Sequence, residues 1–209
     1  ERDTDALPDI ADACRAAPGG SGAYTMCFHG LGHGILAYAG YNLPETVALC
    51  SRTATAAYQG READECVGGA VMEIISGGDH DKELWRKESP KYFRVDDPLY
   101  PCTADFIPQG GPRLRCLSYL TPHLFEAAGA DLGRPLPKDY EAAFRFCDRI
   151  APANVAERTA CFGGFGKEFT VLAQDRDVRR IDQMDDGRLR LVYEWCLLAR
   201  DADGTAACI

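Results

Sequence analysis

Two histidines, His29 and His33, lie four residues apart, directly after Cys27 and among three glycines. Residues four apart in a helix lie on one face, one turn apart, so the two imidazoles are spaced to hold one metal ion. The pair differs from the zinc-protease motif because Gly30 stands where that motif places its catalytic glutamate. The spacing therefore predicts a metal site without specifying a reaction.

Ionisable side chains also follow three later cysteines, six or seven residues beyond each cysteine. They are Glu73 after Cys66, His123 after Cys116, and Lys167 with Glu168 after Cys161. If the segments after these cysteines are equivalent helices in a stack, equivalent positions line one surface. The predicted metal ligands are therefore His29, His33, His123 and Glu73, and the predicted catalytic groups are Glu73, Glu168 and Lys167.

Glu73 lies in an apolar run, where an isolated carboxylate is costly unless it is paired. A histidine, a metal ion or Lys167 would serve as its partner. Imidazole and carboxylate donors suit zinc, iron and copper(II), and the spacing does not choose between these metals. A metal-bound water would support hydrolysis with Glu73 or Glu168 as base, whereas iron or copper would support oxidation. Whether the chain is an enzyme stays open at this point.

Ten cysteines in 209 residues are the most informative part of the composition. In chain order they form five neighbouring pairs, whereas zinc and iron–sulfur sites place cysteines only two to four residues apart. We predict five disulfides between neighbours and hence an oxidising compartment, which makes the protein secreted or periplasmic. The predicted pairs are Cys14–Cys27, Cys50–Cys66, Cys102–Cys116, Cys147–Cys161 and Cys196–Cys208.

The second cysteines of these pairs recur at a period typical of two-helix repeats. Alternating β-type runs are absent, and alanine and leucine recur at helical spacing. We predict one all-α domain over 1–209, built of about four and a half disulfide-stapled α-hairpins in a solenoid-like or closed helical array. The predicted units are approximately 7–40, 44–76, 99–131, 137–174 and 188–209, with an insertion at 77–98.

Glycines cluster just after the second cysteines, as Gly32, Gly69 and Gly164 illustrate. A helix interior normally prefers alanine, and each such glycine costs about 0.5–1 kcal/mol. Close approach of two helices, or room for a ligand, would compensate for that cost. The alternative is that these glycines form the turn itself and that each helix begins later.

The net charge of −9 argues against a nucleic acid or an anionic membrane surface as the partner. No apolar run approaches the ~18 residues of a membrane span. The leading hypothesis is a secreted or periplasmic metal-binding repeat protein. One alternative is a non-enzymatic module whose concave face binds a peptide or protein, with Trp85, Tyr92 and Phe93 as contacts. Another is a structural domain of a longer secreted chain.

Overall fold

The structure is a computed structural model that describes residues 6–77, 80–94, 96–131, 136–177 and 183–209. These residues form helices and turns, with no β-strand among them, which confirms the predicted all-α class. The chain divides into two compact units. The first unit comprises Glu1–Tyr92 and Thr103–Cys116, and the second comprises Phe93–Cys102 and Leu117–Ile209.

The first unit is built around two long helices that pack along each other, α2 and α4. Its helices are α1 (Leu7–Arg15), α2 (Gly20–Tyr38), α3 (Leu43–Ser51), α4 (Arg61–Ser76) and α5 (Lys82–Glu88). A further helix, α6 (Gly111–Tyr119), belongs to this unit as far as Cys116, and its last three residues belong to the second unit. The start of α3 follows from its sequence, because Pro44 lies in the first turn and the Asn42 side chain accepts a hydrogen bond from the Glu45 backbone N–H.

Glycines allow α2 and α4 to approach to backbone contact. A Cβ atom at Gly32 would lie 1.9 Å from the carbonyl oxygen of Cys66, and one at Gly69 would lie 1.9 Å from the carbonyl oxygen of His29. Both glycines lie inside their helices, so the alternative in which they form turns is wrong. Close helix–helix packing therefore explains their presence, as predicted.

The second unit has an aromatic core between α8 and α9. Its helices are α7 (Thr121–Ala127), α8 (Pro137–Cys147), α9 (Val155–Ala173), α10 (Asp186–Cys196) and α11 (Ala202–Cys208). The rings of Phe144 and Phe165 stack with centroids 4.1 Å apart, and Phe125 packs edge-on against Phe165 at 5.4 Å. Stacked and edge-on aromatic pairs of this kind stabilise a core beyond their buried area.

The glycine contacts of the second unit repeat those of the first at corresponding positions. A Cβ atom at Gly166 would lie 1.8 Å from the carbonyl oxygen of Cys208, and one at Gly164 would lie 2.8 Å from that of Ser118. Counted from the preceding second cysteine, Gly166 corresponds to Gly32, and Gly164 corresponds to Gly69. The first-unit contacts both join α2 to α4, whereas those of the second unit join α9 to α11 and to α6.

Disulfides tie neighbouring helices as the cysteine spacing predicts. Bonds join Cys14 to Cys27, Cys50 to Cys66, Cys147 to Cys161, and Cys196 to Cys208. Cys102 and Cys116 are disulfide-bonded as well, so the chain has no free cysteine. Five disulfides are what an oxidising compartment permits.

The segment predicted as an insertion, 77–98, carries α5 and a short 3-10 helix over Ser89–Tyr92. Its aromatic residues are engaged within the protein rather than presented to a partner. The Trp85 indole N–H donates to the carbonyl oxygen of Ile74, and the Tyr92 hydroxyl accepts from the backbone N–H of Leu43. Trp85 and Tyr92 are thus held by the protein itself, and the peptide-binding alternative stays a prediction.

Among the helices that the structure describes, none combines the length and the apolar character required to cross a membrane.

Candidate functional site

A buried carboxylate, Glu73, lies where α2 and α4 pack together. Its side chain accepts a hydrogen bond from His33, with 2.9 Å between Nδ1 of the histidine and Oε2 of the glutamate. Glu73 is only 3% exposed, whereas the His33 side chain is 24% exposed. Of the partners considered for Glu73, which were a histidine, a metal ion and Lys167, the structure shows a histidine beside it. Because Nδ1 faces the carboxylate, Nε2 is the ring nitrogen of His33 that remains for another partner.

The second oxygen of Glu73 has two further neighbours. The Tyr41 hydroxyl lies 3.3 Å from Oε1, and Nδ1 of His80 lies 3.5 Å from the same oxygen. Burial raises the pKa of Tyr41, and the nearby Glu73 carboxylate adds to that effect. The hydroxyl therefore keeps its proton and donates a hydrogen bond to the carboxylate.

A chain of hydrogen bonds fixes the loop that carries His80. The backbone N–H of Asp81 donates to the Tyr41 hydroxyl over 3.4 Å, and the Asp81 side chain caps α5 by accepting from the Leu84 N–H. The backbone of Gly77 packs against the Glu73 side chain. A Cβ atom at Gly77 would lie 2.5 Å from the carboxyl carbon of Glu73. A larger residue at this position would displace the carboxylate.

His29 completes the cluster on α2. Its ring lies edge-on to that of His33, with 5.0 Å between the centroids, as expected for two histidines one turn apart. His29 is buried. His33 and His80 thus contact one buried carboxylate, and His29 packs against His33. We call the set of His29, His33, Glu73 and His80 the histidine cluster.

The histidine cluster as it stands is joined by hydrogen bonds and ion pairs. In the described part of the chain, no group of three or more histidine, cysteine, aspartate or glutamate side chains is arranged to hold a metal ion. Of the site residues predicted from sequence, His29, His33 and Glu73 belong to the histidine cluster.

The remaining predicted residues belong to the second unit. His123 is buried in α7, its ring packs 4.6 Å from that of Phe93, and its Nε2 has no hydrogen-bond partner among the described residues. Lys167 lies 3.1 Å from Glu168 and 4.2 Å from the centroid of the Tyr119 ring. Lys167 is thus paired with its own neighbour within the second unit.

Two members of the site, His80 and Tyr41, are not among the residues that the sequence analysis singles out. The His80 side chain is 52% exposed, yet it faces Glu73. Tyr41 lies just beyond α2 and carries no sequence signal for a site. The residue types around His80 suit metal binding, but Asp79 lies outside the described residues.

The chain matches no protein-family model, no curated protein and no solved structure. Its function is therefore inferred from the geometry alone.

Proposed function

We propose that the chain is a secreted or periplasmic helical-repeat protein whose first unit binds one transition-metal ion through His33, Glu73 and His80. The observation that carries the proposal is the convergence of two imidazoles on the two oxygens of one buried carboxylate. Buried carboxylates need a proton, a cation or strong hydrogen bonds to offset their desolvation. A metal ion would meet that need for Glu73.

Each of the two histidine–carboxylate distances is compatible with a shared ion, although the three side chains as they stand are not arranged around one point. Nitrogen and oxygen donors bound at ~2.0–2.2 Å to one ion, at angles of ~90–110°, lie about 2.9–3.5 Å from each other. The distances from the Glu73 oxygens to Nδ1 of His33 and of His80 are 2.9 and 3.5 Å. An ion would take the place of the proton now shared between His33 and Glu73.

Binding would require only local adjustment. His80 lies on a loop and is half-exposed, so its ring has room to turn toward an ion beside Glu73. His33 and Glu73 come from two helices locked together by the glycine contacts, which holds these two donors in place. Because a ligand nitrogen of histidine must be free of its proton, metal binding would weaken in acid.

Two histidines and one carboxylate are suitable ligands for zinc, iron(II) and copper(II). Three protein donors leave at least one coordination position for water or a substrate. A water bound there would support hydrolysis, and iron or copper would support oxidation, so the proposed site has the requirements of a metal-dependent enzyme.

Recurrence of glycine contacts at corresponding positions supports the repeat part of the proposal. Gly32 and Gly166 occupy the same position relative to their preceding cysteine and contact the carbonyl oxygen of an equivalent later cysteine. The secreted or periplasmic location is supported by the five disulfides, which a reducing cytosol does not maintain.

The test is elemental analysis of untagged protein purified without chelator, followed by thermal unfolding with added Zn²⁺, Fe²⁺ or Cu²⁺. We expect about one metal ion per chain and a metal-dependent rise in Tm in the parent protein. An ion at 100 times its Kd would stabilise the fold by about 2.7 kcal/mol.

The variants His33→Ala and His80→Ala should lose both the bound metal and the metal-dependent rise in Tm. His123→Ala is the matched control, because it removes a histidine from the second unit and should keep both. A parent protein that takes up none of the three ions would refute the proposal, as would full retention in the His33→Ala and His80→Ala variants.

A further inference from the structure

A second candidate site in the first unit is a cavity of about 470 Å³ that shares no residue with the histidine cluster. It lies at the start of α2 and α4 and is within the 300–1,000 Å³ range of small-molecule sites. Its walls combine two arginines, two tyrosines and small polar side chains, among them Arg15, Ser21, Tyr24, Tyr58 and Arg61.

The charge of this cavity is opposite to that of the chain. The whole chain carries a net charge of −9, yet no aspartate or glutamate is among the described residues that line the cavity. Arg15 is held by the protein itself, through Asp12, the Thr53 carbonyl oxygen and Glu62. Arg61 is exposed and makes no hydrogen bond or ion pair with any described residue. Its guanidinium is therefore available to an oxyanion.

The first turn of α2 adds to this positive character. α2 begins at Gly20 with no acidic residue in its first turn and no side-chain cap. The first turn of α4 also lacks a side-chain cap, but it holds Glu62, which pairs with Arg15, and Asp64. Gly20 and Arg61, the first residues of these helices, both line the cavity. Uncapped backbone N–H groups at helix starts favour negative charge.

The tyrosines provide a flat apolar wall. The rings of Tyr24 and Tyr58 stack with centroids 4.5 Å apart and an interplanar angle of 24°. Tyr58 is 39% exposed, although the ring of a tyrosine is largely apolar. A planar unsaturated group placed beside this pair would cover apolar surface and extend the stack.

We propose that this cavity binds a small organic anion, namely a flat ring that carries one carboxylate or phosphate group. The oxyanion pairs with Arg61 at the start of α4, and the ring packs against Tyr58 and Tyr24. Hydroxyl groups of Ser21 and Thr25 in the same wall would hydrogen-bond the anion or its substituents.

The test is isothermal titration of the full chain, in excess chelator, with benzoate and with phenyl phosphate. Chelator removes any metal, so the outcome is independent of the metal proposal. Binding of benzoate, phenyl phosphate or both supports the proposal and shows which oxyanion the site accepts. Benzyl alcohol tests the ring without the anion, and inorganic phosphate tests the anion without the ring. Each should bind at least tenfold more weakly than the aromatic anion that binds.

Arg61→Gln and Tyr58→Ala should each weaken binding at least tenfold, since both side chains are exposed and their loss leaves the core intact. Arg86→Gln, an exposed arginine on α5 outside the cavity, is the control and should bind as the parent does. The proposal fails if neither aromatic anion binds with a Kd below roughly 10 mM, which corresponds to a binding free energy near −3 kcal/mol. It also fails if Arg61→Gln retains the parent affinity, or if inorganic phosphate binds as tightly as phenyl phosphate.

Discussion

Gly32 of α2 packs directly against the carbonyl group of Cys66 of α4, so that a Cβ atom at this position would lie 1.9 Å from the carbonyl oxygen. No side-chain rotation relieves such a clash, because the Cβ position is fixed by the backbone of α2 and its partner is a backbone carbonyl group of α4. The contact sets how far α2 is shifted along α4, and with it which side chains of the two helices meet.

Gly32→Ala should therefore destabilise the protein by about 1–3 kcal/mol, the usual range for overpacking. Gly30→Ala is the matched control in the same helix, because nothing lies within 4 Å of a Cβ atom at Gly30. That substitution should be neutral or stabilise by up to about 1 kcal/mol through helix propensity. Denaturant unfolding of both variants checks the difference, and equal stabilities would contradict the packing.

The hydrogen bond between His33 and Glu73 should appear as a coupling energy of about 1–2 kcal/mol in a double-mutant cycle, since a bond to a buried charged group is stronger than the average. The measurement is denaturant unfolding, in chelator, of His33→Ala, Glu73→Ala and the double variant. A parallel double-mutant cycle with His80→Ala and Glu73→Ala should give a coupling energy below about 0.5 kcal/mol. His80 is half-exposed and lies farther from Glu73 than His33 does. Equal coupling in the two cycles would be inconsistent with this geometry.

Tyr24 should make the protein less stable at alkaline pH. Burial and the nearby Glu62 carboxylate raise the pKa of Tyr24 from 10.0 to about 12. No hydrogen bond of normal geometry joins its hydroxyl to a described residue. Between these two values the unfolded chain loses the proton and the folded chain keeps it, so stability falls as the pH rises, by up to about 2 kcal/mol.

Tyr24→Phe removes this contribution because phenylalanine does not titrate. Its free energy of unfolding should decline less than that of the parent between pH 10 and 12, as measured by urea unfolding at a series of pH values. Parallel curves for the two proteins would show that Tyr24 does not contribute.

Glu62 should make the stability of the protein depend on pH in the acidic range. Burial alone would raise its pKa, but hydrogen bonds from Thr55 and Arg15 outweigh burial and lower the pKa below 4.5. The stabilisation is present above pH 4.5 and is lost as the pH falls through the folded-state pKa. Asp64 and Glu65, whose pKa values burial raises, change stability in the opposite direction.

Thr55→Val tests Glu62 without removing the carboxylate. It deletes the hydroxyl that donates to Glu62 over 2.5 Å, so the pKa of Glu62 should rise and part of the stability at pH 7 should be lost. The loss should shrink toward acidic pH, where Glu62 becomes protonated in both proteins. A stability difference that does not change with pH would contradict this assignment.

The helical class and the disulfide pairing could be predicted from sequence because both depend on short-range spacing. Loops of 12 to 16 residues bring Cys196 to Cys208 and Cys50 to Cys66 as each helix turns back on the preceding one. The one-turn spacing of His29 and His33 follows from helix geometry in the same way. Sequence also indicated that Glu73, in an apolar run, needs a partner.

Only the tertiary structure decided which partner Glu73 has. Residue spacing sets the direction of a side chain around its own helix, but not the shift of one helix along another. Contacts of Gly32 and Gly69 with facing carbonyl groups set that shift, and they place His33 beside Glu73. His80 reaches the carboxylate from a loop, whose path no helical periodicity encodes, so its role could be seen only in the folded protein.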